Sequence, residues 1–239
     1  GVVGGGTNGA LGALTVNTTG TTTFSAAVTA ASVTTNAGGT TAINGGTITT
    51  TGAQTYNDAV TLGAATTLTS SSSGNINLAS TVNGAQTLTI NTAGTTTFGG
   101  IVGGTTALTS ITTDAAGSLA INGGAITTTG AQTYNDGVTL GAATTLSASS
   151  ITTGSTFNAS TYAATFTTDA IALGGNLSGS GALTIQPKTA STTIGIGSAA
   201  SGTLSLDDTE LGYLVDGFSS ITIGSTAGTG AIVVAYTTP

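Results

Sequence analysis

The chain has 239 residues, including 58 Thr and 39 Gly, with nine charged side chains, a net charge of −7, one cation at Lys188, and no His, Cys, Met or Trp. Catalysis needs a tunable acid, base, nucleophile or metal, and hydroxyls without an activating base are inert, so no enzyme and no cofactor is expected. One cation cannot supply the attraction that a phosphate backbone demands, and no run of about 18 apolar residues or basic leader with an apolar core occurs, so neither nucleic acid nor membrane insertion is expected.

Disordered chains are rich in charge and poor in β-branched residues; this chain is the reverse. From Leu14-Thr15-Val16 through Leu88-Thr89-Ile90 to Ile221-Thr222-Ile223, short β-branched runs predict many short strands. Gly and Thr are weak helix formers, and no long stretch keeps a 3.6-residue apolar period.

The first long element repeats. Residues 14–24 (LTVNTTGTTTF) return at 88–98 (LTINTAGTTTF), offset by 74, and residues 43–69 (INGGTITTTGAQTYNDAVTLGAATTLT) return at 121–147 with 24 of 27 positions identical, offset by 78. One array over 1–239 is expected, with near-duplicate units around 14–87 and 88–165 and a divergent part at 166–239. Four coils of about 19–20 residues per unit predict an all-β, parallel β-solenoid of roughly twelve coils, about 55–60 Å long. Asn44-Gly45-Gly46, Asn83-Gly84 and Asn122-Gly123-Gly124 supply the positive φ of sharp corners. They also suit hairpins, which leaves antiparallel β-sandwich repeats as the alternative. Near-identity of the units favours the solenoid, on the ground that like side chains stack on like; Phe24, Phe98 and Phe157 are assigned to the interior.

Between the apolar runs, Asn57-Asp58 and Asn135-Asp136 occupy equivalent positions. They read as Asx turns at corners, with a periodic cation site as the sharper alternative; the glycine-rich calcium nonapeptide is absent. Lys188, after Pro187, marks an exposed turn rather than an isopeptide bond. The sequons at Asn17, Asn158 and Asn176 are what chance gives in so Thr- and Ser-rich a chain.

Toward the end comes the one helical signal. Asp207 caps, Glu210 closes a capping box, Leu211, Leu214, Val215 and Phe218 share a face, and Gly217 stops a helix near 208–216. Asp207, Asp208, Glu210 and Asp216 form the only acidic cluster and are weak calcium candidates; capping and solvation account for most of them, so no metal site is assigned. A paired-carboxylate glycosidase lacks the aromatic and basic residues that line such a cleft.

The phrases TTTGAQTYNDAVTLGA and ELGYLVDGFSSITIGSTAGTGAI resemble repeats of filamentous-haemagglutinin-like and autotransporter-type bacterial proteins. The family's Arg after the Ile-Thr-Ile-Gly run is Ser225 here, so no role for that Arg carries over. The resemblance implies a right-handed β-helix in a large secreted surface protein, located outside the cell or on its surface, with an adhesive or structural role. Scarcity of trypsin-type cleavage sites suits that location, and Gly1 in place of Met suggests a processed protein or an excised segment. Expected partners are other copies of the chain, adjoining repeats, or a host or environmental surface. A self-assembling filament or sheath subunit is the second expectation. Ice binding is a lesser third, because pairs such as Thr49/Thr51, Thr67/Thr69 and Thr95/Thr97 are unevenly spaced and need not share a face.

Overall fold

The computed structural model describes residues 3–4 and 9–236. It is an all-β, parallel β-solenoid of about nine turns, and every ladder among the described residues is parallel. The hairpin and sandwich alternative is thereby set aside: the Asn-Gly pairs turn corners within a coil and do not reverse strands.

The cross-section has three faces. Thr21–Phe24, Thr40–Ile43 and Ala59–Leu62 open the first face, which continues through Ala125–Thr127 and Thr144–Ser147. The second carries Thr47–Thr50, Thr66–Ser70, Thr87–Thr92, Ser110–Thr113, Ala131–Tyr134, Ser150–Thr153 and Ala170–Leu173. The third runs from Leu11–Val16 through Gln54–Tyr56, Ile76–Leu78, Thr95–Phe98 and Ser118–Ile121 to Leu177–Ser178. The strand Val28–Thr35 bends round one edge, pairing at its start with the second face and at its end with the third, and so joins the two into a 16-stranded sheet.

Side chains alternate in and out with the two-residue period of a strand. The inward ones fill one continuous apolar core, in which Phe24, Phe98 and Phe157 are 7%, 1% and 1% exposed. Phe157 and Phe166 pack with ring centroids 5.1 Å apart at 55°, a tilted arrangement that the ring quadrupoles favour.

The repeat does not equal four coils. Ile43 lies on the first face and its counterpart Ile121 on the third, eleven faces later, so 78 residues make three and two-thirds turns. Coils run from 19 residues, as between Thr21 and Thr40, to 24 between Val102 and Ile126, which exceeds the expected 19–20 and lowers the count from twelve to about nine. Equivalent residues of the two units therefore never stack on one another. What is copied is a neighbourhood: Phe24 is followed up the first face by Ile43 and Leu62, and Phe98 up the third by Ile121 and Leu140. The reason given for preferring a solenoid, like on like, was thus mistaken even though the fold is a solenoid.

Corner glycines permit the close coil spacing. Gly46 and Gly124 adopt φ of +75° and +77°, open to glycine at little cost. A Cβ on Gly45 would stand 2.1 Å from the Ala26 carbonyl carbon, and one on Gly123 2.0 Å from the Gly100 oxygen. Both neighbours are backbone of the coil below and cannot rotate away. Gly45→Ala and Gly123→Ala are expected to cost about 1–3 kcal/mol each by overpacking, whereas Gly12→Ala, with nothing within 4 Å, leaves stability nearly unchanged; urea denaturation checks all three.

After Ala182–Gln186 the chain leaves its regular path. Ile194–Ile196 inserts between Leu204–Leu206 and Ile232–Val234 in a separate three-stranded parallel sheet. The helix Asp208–Gly212 follows, with Tyr213 as its C-cap. It stops four residues short of the expected 216 because the chain rejoins the third face: Leu177 N donates to Tyr213 O at 2.8 Å and Val215 N to Leu177 O at 3.0 Å. Ser220–Ile223 then regains the first face on Ala182–Gln186, a turn of 38 residues.

Candidate functional site

The polar groups inside and at the corners of the rod are the places where chemistry would be expected. Gln54 and Tyr56 stand two apart on one strand and both point inward, fully buried. Tyr56 Oη donates to Gln54 Oε1 at 2.8 Å, while Gln54 Nε2 donates to Ile48 O at 3.2 Å and to Thr69 O at 2.9 Å in the next coil. Gln132 and Tyr134 repeat the arrangement, with Oη to Oε1 at 2.9 Å and Nε2 to Ile126 O and Ser147 O at 3.1 and 3.0 Å. Burial pushes both tyrosine hydroxyls far above their ordinary pKa, so they donate hydrogen bonds and do not ionise. The network was not foreseen; its signal was an identical Gln-Thr-Tyr in both units, with the two polar residues on the same face of a strand.

Asn57-Asp58 and Asn135-Asp136 are corner staples and not the Asx turns expected. The amide that an Asx turn would engage, Val60 N, donates to Thr81 O, and Val138 N to Thr156 O. Instead each pair reaches back to the preceding coil. Asn57 Nδ2 donates to Thr35 O at 2.7 Å and Gly39 N donates to Asp58 Oδ1 at 2.8 Å; Asn135 Nδ2 donates to Thr113 O at 2.8 Å and Gly117 N to Asp136 Oδ1 at 2.9 Å. Both carboxylates are 2% exposed.

The two corners differ in one respect. Thr41 Oγ1 donates to Asp58 Oδ2 at 3.3 Å, but the position equivalent to Thr41 is Leu119, and Asp136 Oδ2 is buried without a partner. In addition Asp114 replaces Asn36. Burial raises the Asp136 pKa and the nearby Asp114 charge adds to this, against the lowering by its bonds to Gly117 and Thr113.

The acidic group near the helix is spent on structure. Asp207 Oδ1 accepts from Glu210 N at 2.9 Å, Glu210 Oε2 accepts from Asp207 N at 3.1 Å, and Glu210 Oε1 accepts from Leu173 N at 3.0 Å, tying the helix to the second face. Asp208 Oδ1 accepts from Ser198 N at 3.1 Å, and Asp216 has no place in these contacts. Among the described residues no three metal-ligating side chains gather. Asp169 clasps the departing segment, accepting from Thr189 N and Oγ1 at 2.7 Å each and from Thr192 Oγ1 at 2.8 Å. Partial burial works to raise its pKa, but these bonds outweigh that and hold it below the usual carboxylate range. Lys188 is exposed at a bend, as expected, with Nζ donating to Thr128 O at 3.0 Å.

The most open depression, about 400 Å³, lies at the C-terminal end between Ile196, Asp208, Leu211, Val234 and Tyr236. One carboxylate among apolar groups offers no base, nucleophile or paired acid. No family model matches the chain, nor does any curated protein or solved structure.

Proposed function

We propose that the chain is a structural or adhesive segment of a large extracellular bacterial surface protein, without catalytic activity. The observation that carries this reading is the use made of its polar groups. Both corner Asp residues, the Gln–Tyr pairs and Glu210 bind one strand or coil to another, which is how a load-bearing rod is built and leaves few groups for chemistry. The resemblance of the repeat phrases to filamentous-haemagglutinin-like proteins supports the same reading, and so does a surface with few charges and few cleavage sites.

In solution the isolated chain is expected to scatter as a rod. At ~4.8 Å per coil, about nine turns give a stacked length of about 40–45 Å. Display of the segment on a cell that lacks adhesins should raise retention on abiotic or host-derived surfaces; retention equal to that of undecorated cells, or hydrolysis of cell-wall glycans by the purified chain, would overturn the reading.

A second reading, a self-assembling filament, is favoured by the last strand. Ile232–Val234 pairs on one side only, and Ile232, Val234 and Tyr236 are exposed, the kind of free edge that adds further strands. Concentration-dependent light scattering with fibres in negative stain would support it, and a monomer at all concentrations would reject it.

A further inference from the structure

We propose that the second face of the rod binds the ordered water of an ice surface through an unbroken rank of threonines. Thr47, Thr67, Thr89, Thr112, Thr133 and Thr152 follow one another in direct register over six successive coils. Their side chains point outward, alternating with the buried Ile48, Leu68, Leu88, Ile90 and Ile111. Thr49 and Thr69 begin a parallel rank two residues along the strands. Hydroxyls and methyls thus recur at about 4.8 Å along the rod and about 6.5 Å across it, repeats comparable with those at which oxygen atoms recur on crystalline ice. β-branching restricts χ1, so the array is largely ordered before it meets a surface and loses little freedom on binding.

The rank is not a by-product of the duplication. The counterpart of Thr47 is Ala125, on the first face, and Thr133 is the counterpart of Thr55, on the third. The duplication moved every residue round by one face, and the second face still carries Thr at each of the six levels. On the third face the corresponding line is broken by Asn77, Ala120 and Asn158.

The chemistry of the face selects the partner. None of the nine charged side chains lies in a second-face strand, which removes electrostatic attraction to a charged surface. Its one aromatic side chain, Tyr134, points inward, so a crystalline polysaccharide finds no ring to stack upon. The hydroxyl array covers roughly 300–400 Å², about half of what each side of a stable protein interface provides, and it offers no Trp, Tyr or Arg anchor. A flat, uncharged, regular solid is what remains, and ice meets that description.

The test is thermal hysteresis and ice-crystal shape with the purified chain, its fold checked by circular dichroism. The expected result is a gap between freezing and melting points with faceted crystals. The pair Thr89→Tyr and Thr112→Tyr should reduce the gap on the order of tenfold at equal concentration, equivalent to about 1.4 kcal/mol, and Thr97→Tyr on the third face should leave it unchanged. If the tyrosine pair does not fold, Thr89→Lys and Thr112→Lys, of a kind tolerated on exposed strands, serve in its place. No gap with the unaltered chain, equal loss from both faces, or retention on crystalline cellulose or chitin without effect on ice would each overturn the proposal. The proposal is independent of the adhesive reading, which a negative result leaves standing.

Discussion

Gln132→Ala should destabilise the rod by roughly 3–5 kcal/mol, because it empties a buried volume and strands three partners at once. Tyr134 Oη, Ile126 O and Ser147 O all bond this one side chain. Tyr134→Phe strands only Gln132 Oε1 and should cost about 1–3 kcal/mol. In the double variant the losses should fall short of their sum by about 0.5–3 kcal/mol, the coupling of residues in one network. The same series at Gln54 and Tyr56 should give values alike within about 1 kcal/mol although that pair sits on the third face and its copy on the second. Chemical denaturation measures all of these, and strict additivity would show that the amide and the phenol do not act together.

Asp58 and Asp136 should respond in opposite directions to loss of charge. Asp58→Asn weakens two hydrogen bonds to a carboxylate and should cost about 1.5–3 kcal/mol. Asp136→Asn removes a buried charge whose second oxygen has no donor, so at neutral pH it should be neutral or stabilising. The pH dependence follows from the direction of the shift. A carboxyl whose folded pKa is raised binds its proton more tightly in the folded state. Its contribution to stability is then complete below the unfolded value of about 3.9 and is lost as pH rises through the folded value. Melting temperatures taken from about pH 4 to 7 should therefore show the unaltered chain losing ground to Asp136→Asn as pH rises. A widening advantage for the unaltered chain would refute the assignment.

Much of the fold was legible in the residues. Alternating Thr, Val and Ile gave short strands, the Asn-Gly corners gave turns within a coil, Phe24, Phe98 and Phe157 gave the interior, and Asp207 with Glu210 gave the capping box, all as found. What failed was counting. Coil length depends on how far each corner loops out, as between Val102 and Ile126, and loops carry no periodicity to read. Division of 78 by a typical coil length therefore gave four turns where the chain makes three and two-thirds. Asp58 and Asp136 were placed at corners correctly but assigned local bonds, because a sequence does not show which residue lies one coil below. The insertion of Ile194–Ile196 between two later strands has no local signal either, since all three strands are equally apolar and short.

A unit that ends one face short of four full turns also carries an angular instruction. Each additional copy would lengthen the rod by about 18 Å and swing everything beyond it by one third of a revolution, back to its first bearing after three. Copy number would then set the compass direction of whatever the rod carries as well as its distance. Only a prism whose sides are interchangeable permits this, and the Gln–Tyr pair, seated with the same partners on two different sides, marks the sides as interchangeable.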